Sequence, residues 1–190
     1  MRICLMLLVA LALGVGSAIW VTQRGINVSI VRVGPWQSEL ASGSEKADPY
    51  TRAVVALNGL FALTPAQSLY FTATMDSGGK PLMVNCTYKL TGRDLPARWW
   101  SVTAYGPDNY LIPNSQERYS VAKTGLLREA DGSFNISVSP DAGAGNWIPT
   151  GMPADSQTFI LMIRLYNPEE ALVKNPQDAT LPAITLESCS

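Results

Sequence analysis

The segment RWWSVTAYGPDNY, residues 98–110, decides the fold class. Polar and apolar side chains alternate from Arg98 to Tyr105, which predicts a β-strand with one buried face. Gly106-Pro-Asp-Asn109 follows at once and has the residue types of a tight turn. A strand that runs directly into a tight turn is typical of antiparallel β proteins.

This pattern of a short strand followed by a turn recurs along the chain. Further strands are predicted at 68–75, 86–90, 110–112, 119–122, 134–138, 158–166 and 183–186. The strand at 158–166 is the longest and most apolar, which indicates a central position. Together the strands predict a mainly β fold, an antiparallel jelly-roll-like β-sandwich. A lipocalin-like up-and-down barrel is the alternative.

One α-helix precedes the strands. Asp48 followed by Pro49 satisfies the residue preferences of a helix start, and the helix is expected to continue to about Ala62 and to pack on a sheet. The residues before it are expected to form a polar connector that holds Trp36 as a docking residue. The expected organisation is an N-terminal segment 1–24, a connector 25–48 and a single domain 49–190.

The N-terminal segment contains an uncharged apolar run, ICLMLLVALALGVGSAIWV, from Ile3 to Val21. About 19 residues in a helix span roughly 28 Å, close to the ~30 Å hydrocarbon core of a bilayer. We therefore predict a transmembrane helix from Ile3 to Val21. A cleaved signal peptide is the alternative, because Gly16-Ser17-Ala18 supplies small residues for a cut. The apolar run continues past Ala18, which favours the retained anchor.

The anchor also has a pattern of small residues. Ala10, Gly14 and Ala18 recur every four residues, a spacing with which two such helices pack together in a homo-oligomer. The ordinary small-residue content of a membrane anchor explains the same pattern without any partner.

The cysteines indicate the compartment of the remaining chain. Cys4 lies in the apolar run, whereas Cys86 lies in a predicted strand and Cys189 is the penultimate residue. A Cys86–Cys189 disulfide would clamp the C-terminus, and two unrelated buried thiols are the alternative. If the disulfide forms, the domain lies in an oxidising compartment.

The composition excludes several classes of function. The chain of 190 residues has 14 Lys and Arg against 15 Asp and Glu, so it lacks the basic surface that nucleic acid requires. It has no histidine, which removes Ser-His and Cys-His nucleophile pairs and histidine-dependent metal sites. No phosphate-binding or dinucleotide motif is present. We therefore expect no metal, no cofactor and no nucleic-acid partner.

Three segments have a more specific pattern, namely Leu95–Asn114, Asn146-Trp-Ile-Pro149 and Arg164-Leu-Tyr-Asn-Pro168. Together they resemble the bacterial domain of unknown function 1214 over about residues 80–170. The resemblance implies an antiparallel jelly-roll-like fold in the bacterial envelope, as in short envelope-anchored members of that family. It implies no catalytic residues. With the predicted disulfide, it favours a single-pass protein of the bacterial inner membrane whose domain lies in the periplasm.

The polar and aromatic side chains of these segments are the candidate ligand-binding residues: Asn114, Arg118, Tyr119, Asn146, Trp147, Arg164 and Tyr166. If they converge on one rim of the sandwich, Arg164 would donate charge-assisted hydrogen bonds to a small anionic or sugar-like ligand. Trp147 or Tyr166 would then stack on that ligand.

A purely structural interpretation accounts for the same residues. Asn114 and Asn146 would make turn hydrogen bonds beside prolines, and Trp147 would fill the edge of the core. Arg164 would pair with a carboxylate.

Two functions follow from these patterns. The first is a non-enzymatic, membrane-anchored envelope module that binds a protein partner or a small ligand at the rim of the sandwich. The alternative is a histidine-independent enzyme that acts on a small anionic or glycan-like molecule with Arg164, Tyr166 and nearby acids. The acids stand mostly in turn contexts, for example Asp76, Asp108, Asp131 and Asp141, which favours the first function.

Overall fold

The protein contains two β-sheets preceded by an apolar helix. The structure is a computed structural model that describes residues 2–24, 30–39, 43–44, 47–57, 63–141, 143–151 and 157–189. The helices are α1 Arg2–Arg24, α2 Pro49–Leu57 and α3 Glu170–Lys174, followed by a 3-10 helix Pro176–Asp178. The strands are β1 Ile30–Val33, β2 Trp36–Glu39, β3 Ser68–Ala73, β4 Cys86–Gly92, β5 Ala97–Tyr105, β6 Ser120–Ala122, β7 Phe134–Ser139, β8 Trp147–Pro149, β9 Ile160–Pro168 and β10 Ala183–Cys189.

The strands divide into one large and one small sheet. The large sheet has the order β1-β2-β3-β9-β5-β6, and the small sheet has the order β10-β4-β7-β8. All neighbouring strands are antiparallel except β7 and β8. The predicted mainly β fold is therefore confirmed, and the ladders of the described residues do not close into one up-and-down barrel. The finer jelly-roll arrangement stays a prediction.

The core uses one face of each sheet. On β9 the inward side chains are Leu161, Ile163 and Leu165, all fully buried, which matches the two-residue period of a strand. The rings of Trp100 on β5 and Phe134 on β7 lie 5.1 Å apart and join the sheets. A fully buried side chain of this size contributes about 1.5–3 kcal/mol. Because the inner faces take the apolar residues, the polar residues Ser101 and Thr103 of β5 and Arg164 of β9 lie on the outer face.

The longest predicted strands are confirmed, and some expectations are wrong. The strand predicted at 158–166 is β9, which lies in the middle of the large sheet as expected. The strand predicted at 110–112 is reduced to one bridge between Leu111 and Tyr105. Two local features prevent a longer strand here. Asn109 turns the chain with a left-handed φ of 66°, and Pro113 has no N–H to pair.

The polar connector expected at 25–48 is wrong for residues 30–39. They form the hairpin β1–β2, and Gln37 pairs with Thr72 of β3, so the hairpin extends the large sheet. The expected docking of Trp36 is confirmed: its side chain is buried, and its indole N–H donates to the carbonyl of Pro182 at 2.7 Å. This buried tryptophan fixes the hairpin to the domain.

The helix predicted from Asp48 begins as expected. The Asp48 carboxylate accepts hydrogen bonds from the backbone N–H groups of Tyr50 and Thr51 at 2.8 and 3.2 Å, the geometry of an N-cap. The described helix ends at Leu57, and the remaining residues of the prediction, up to Ala62, lie outside the described residues. Helix α2 contacts α1 rather than packing mainly on a sheet, which corrects the expected packing.

The predicted disulfide is present. Cys86 and Cys189 are bonded, and they face each other in the register of β4 and β10. Strand β10 therefore continues past the predicted Leu186 to the cysteine, with an irregularity in register after Leu186. The covalent bond holds the last strand at the edge of the small sheet.

Candidate functional site

The predicted site residues separate into two groups. One group lies where the large and small sheets meet at β6 and β8, and we call it the seam group: Asn114, Arg118, Tyr119, Asn146 and Trp147. The other is Arg164 and Tyr166 on the outer face of β9, with β5 between them and β6. The seven residues thus do not converge on one rim.

In the seam group, Asn114 builds a turn. Its side-chain amide donates to the carbonyls of Ile112 and Arg118 at 3.2 and 2.9 Å, and its Oδ1 accepts from the backbone N–H of Arg118 at 3.1 Å. Tyr119 follows this turn, and its carbonyl accepts from the N–H of Ala104 at the start of the β5–β6 ladder. The polar atoms of Asn114 are therefore used within the protein.

Asn146 has a similar structural role. Its Nδ2 donates to the carbonyls of Leu127 and Asn135 at 2.7 and 3.0 Å, and its Oδ1 accepts from the N–H of Leu127 at 2.9 Å. The side chain thereby joins the loop after β6 to the β7–β8 pair. These contacts fit the turn role that the sequence offered as the structural interpretation.

Trp147 is buried beneath Arg118 and Gly143. Its indole N–H donates to Ser139 Oγ at 3.0 Å, and the Arg118 guanidinium lies 5.9 Å from its ring while donating to the carbonyl of Gly145 at 2.7 Å. A Cβ at Gly143 would come within 2.7 Å of the ring, so this position needs a glycine. The ring is thus covered and does not offer a stacking face.

The group on β9 has a different environment. Arg164 is half-buried on the outer face, where the register places it opposite Tyr70 of β3 and Ser101 of β5. Its guanidinium lies 5.2 Å from the ring of Tyr105, a cation–π distance. The expected pairing of Arg164 with a carboxylate is not seen in the described part of the chain, where every ion pair joins other residues.

Tyr166 is part of an aromatic pair. It lies directly opposite Trp99 of β5, and the two rings are tilted with centroids 5.5 Å apart. Trp99 remains 36% exposed and donates its indole N–H to Thr124 Oγ1 at 3.2 Å. Trp99, Tyr105 and Ser101 were not among the predicted site residues, although the alternation of residues 98–105 places them on one face of the strand.

The strongest charged cluster of the described residues surrounds Asp94, which the sequence did not single out. Its Oδ1 accepts from the indole N–H of the buried Trp100 at 2.7 Å, and Lys123 and Arg128 form ion pairs with it at 3.2 and 3.3 Å. Burial alone would raise the pKa of Asp94, but the hydrogen bonds from Trp100 and Lys123 and the charges of Lys123 and Arg128 outweigh it. The pKa is therefore lower than usual. The Asp94 carboxylate thereby holds the loop before β5 to the segment after β6.

A pocket of about 220 Å³ opens between the β1–β2 turn and the turn that follows β3. Arg32, Gln37 and Thr74 contribute to its walls, as does Asp76. The Asp76 Oδ1 accepts from the backbone N–H groups of Gly78 and Lys80 at 2.8 and 2.9 Å. This oxygen is therefore used to build the turn. No group of three or more potential metal ligands occurs among the residues that the structure describes.

Comparisons with known proteins identify relatives of unknown function. The family model described as "Protein of unknown function (DUF1214)" matches residues 67–170, more than half of the chain. A search of curated proteins finds no match.

Two solved structures are similar to this chain. The VPA0106 protein from Vibrio parahaemolyticus has 23% sequence identity and a TM-score of 0.61, and the match covers 75% of this chain and 36% of that one. An uncharacterized protein from Burkholderia cenocepacia has 20% identity and a TM-score of 0.41, over 65% of this chain and 30% of that one. The chain thus spans about a third of the length of these proteins, and the first likeness supports the fold alone.

Proposed function

We propose, from the premise that this chain belongs to the DUF1214 family of proteins of unknown function, that it is a membrane-anchored binding module of the bacterial envelope. In this proposal α1 spans the inner membrane and the two-sheet domain lies in the periplasm. The domain binds a partner molecule and catalyses no reaction. The observation that carries the proposal is the combination of an uncovered apolar helix with a disulfide-bonded domain.

The helix supports membrane anchoring. The stretch Arg2–Val21 has a mean hydropathy of 2.4, and none of it is buried inside the protein. At 1.5 Å per residue, 20 residues extend about 30 Å, the thickness of the hydrocarbon core. Large side chains such as Leu8 and Leu11 stand exposed along the helix, and lipid would cover them.

The disulfide supports the proposed location of the domain on the periplasmic side of the membrane. Disulfides form and persist in the bacterial periplasm and are rare in the cytosol, where thiols are kept reduced. The Cys86–Cys189 bond joins two strands of the small sheet, so the domain lies in the same compartment as these cysteines. A periplasmic domain behind a single span fits this requirement.

The carboxyl groups support binding rather than catalysis. A general acid near neutral pH needs a raised carboxyl pKa. Hydrogen bonds from Thr51 lower the pKa of Asp48, and hydrogen bonds from Ser133 lower that of Asp131. The pKa of Asp94 is lowered as well. Each of these carboxylates caps a helix, builds a turn or joins a structural ion pair.

Membrane fractionation with intact-mass measurement tests the anchor. Expressed in bacterial cells, the chain is expected at full-length mass in alkali-washed membranes. Changing Leu8 and Leu11 to Lys should release the protein, because each charge near the centre of a span costs about 2.5–3.5 kcal/mol. The matched control changes two exposed leucines outside α1, Leu57 and Leu127, to Lys and should leave the protein in the membrane. A soluble product that begins at Ile19 would contradict the proposal and identify a cleaved signal peptide.

A further inference from the structure

The outer face of the large sheet contains a half-buried arginine, Arg164, that lies beside an aromatic ring and forms no ion pair within the described part of the chain. The four ion pairs of the described residues do not include Arg164, and its guanidinium contacts the ring of Tyr105 at 5.2 Å. Its cross-strand neighbours, Tyr70 and Ser101, are uncharged. Among the described residues no carboxylate pairs with this positive charge, and in its partly dehydrated setting an anion would be held more strongly than in water.

We propose that this face binds a small molecule whose sugar ring carries a carboxylate or a phosphate, with Arg164 as the anion donor. The proposal rests on the binding function proposed above and names its site and ligand class.

Small hydroxyl side chains line the face next to Arg164. Ser101 lies directly opposite it on β5, and Thr103 is the next outward residue on the same strand. Both are nearly buried, with 5% and 6% of their surface exposed. In the register, Arg164 lies opposite Ser101 and Thr103 lies opposite Met162, while the Arg164 guanidinium is 5.2 Å from the ring of Tyr105, two positions beyond Thr103 on β5. An anion held by the guanidinium would therefore lie on the face of the sheet that carries the Thr103 hydroxyl.

A buried hydroxyl without a hydrogen-bond partner lies on the same face. Ser68 is opposite Tyr166, one outward position from the Tyr70–Arg164 pair. It is 2% exposed, and its Oγ is the buried side-chain oxygen of the described residues that lacks a hydrogen-bond partner. Leaving a buried hydroxyl unpaired is costly, and a ligand atom or a water that reached it would supply the missing hydrogen bond.

On β5 the outward side chains differ in size along this face. On β5 the outward residues are Trp99, Ser101, Thr103 and Tyr105, so two small side chains separate two large ones over about 20 Å. The Trp99–Tyr166 pair lies at one end of this row of outward residues, and Trp99 provides an exposed aromatic surface there. An apolar ring face next to hydroxyl donors matches a sugar, and the arginine at the other end matches its acidic group.

The remaining candidates fit a ligand less well. In the seam group the side-chain polar atoms of Asn114 and Asn146 are bonded to backbone groups, and the Trp147 ring is covered. At the pocket beside β1, the Asp76 Oδ1 already accepts two backbone bonds. Among the described residues, the outer face is where an arginine without an ion pair and an unpaired buried hydroxyl occur together.

Ligand titration tests the proposal with the disulfide-bonded full chain in lipid nanodiscs. The probes are glucuronate and glucose 6-phosphate, with glucose and inorganic phosphate as comparisons, and binding is followed by saturation-transfer NMR. We expect at least one acidic sugar to bind more tightly than both comparisons. Arg164→Gln should weaken that binding by about ten-fold or more, the size of a charge-assisted hydrogen bond.

Two further variants keep the test decisive. Arg98→Gln changes an exposed arginine of β5 that lies on the opposite side of the strand from Trp99, and it should bind like the unchanged protein. Thr103→Val replaces a hydroxyl by a methyl group of similar size and should weaken binding several-fold, even if Arg164→Gln fails to fold. Equal binding of glucose, or equal weakening by Arg98→Gln and Arg164→Gln, would overturn the site. Absence of binding in a correctly anchored protein would overturn the ligand class and leave the anchor proposal standing.

Discussion

At the scale of single residues, Asp94 makes the densest set of charged contacts. Its carboxylate accepts a hydrogen bond from the indole N–H of Trp100 in the core. It also forms ion pairs with Lys123 and Arg128 on the β6 side. Its carboxylate thereby joins the loop before β5 to the segment after β6. Because the native state lowers the pKa of Asp94, the folded protein prefers the ionised form more strongly than the unfolded chain does.

This preference predicts a pH-dependent effect of Asp94→Asn. Near pH 7 the variant should be about 1 kcal/mol less stable, at the low end for charge-assisted bonds because the carboxylate is half exposed. The native contribution is present above the unfolded pKa of about 3.9 and is lost as the pH falls through the lower folded value. Urea unfolding at neutral and acidic pH should therefore show the two proteins converging in acid. A difference that is constant across this range would contradict the role of the charge.

From the sequence, the burial of a side chain was easier to predict than the residue that it contacts. Trp36 was expected to dock and does so, since a tryptophan in a polar segment has little alternative to burial. Arg164 was expected to meet a carboxylate and instead lies beside Tyr105. The two residues are 59 positions apart in the chain, and only the pairing of β5 with β9 brings them together. Local patterns contain no information about such cross-strand neighbours.

At the scale of elements, the strands with clear alternation were predictable and the short ones were not. Strand β5 alternates from Arg98 to Tyr105, and β9 contains a long apolar run; each strand has nine residues, which is enough for recognition from the sequence. Strand β2, Trp36-Gln-Ser-Glu39, is mostly polar, and the three residues of β8 end in Pro149. Both lie at or near a sheet edge and depend on tertiary pairing rather than on local propensity. Helix α3 is five residues long and gives no periodic signal.

The pairing of β4 with β10 predicts the energetic role of the disulfide. The bond closes a loop with a sequence separation of 103 residues, for which chain entropy gives about 4.7 kcal/mol. Reduction should therefore lower the free energy of unfolding by roughly 3–5 kcal/mol. Denaturant titration of the full chain with and without reductant measures the change. The double variant Cys86→Ser/Cys189→Ser should no longer respond to reductant, whereas Cys4→Ser should respond like the unchanged protein; a response of the double variant would contradict this role.

At the scale of the whole molecule, helix α1 and the two-sheet domain have surfaces that suit different environments. Helix α1 exposes an apolar surface along its length, while the domain buries a core between two sheets and keeps its polar residues outside. Lipid would cover the apolar surface of α1. An oxidising aqueous compartment would suit the disulfide-bonded domain with its polar exterior. The proposed single-pass orientation, with the domain in the periplasm, is consistent with both features.

Thiol labelling in intact bacterial cells tests this arrangement most directly. The Cys4→Ser variant leaves only Cys86 and Cys189, and a maleimide that crosses the outer but not the inner membrane reports where they lie. We expect no labelling of membrane-bound, full-length protein before treatment with an impermeant reductant, and labelling of the exposed Cys189 after it, whereas the buried Cys86 should react only once the protein is also denatured. Labelling of Cys189 that requires lysis of the inner membrane, or that occurs without reductant, would contradict this arrangement.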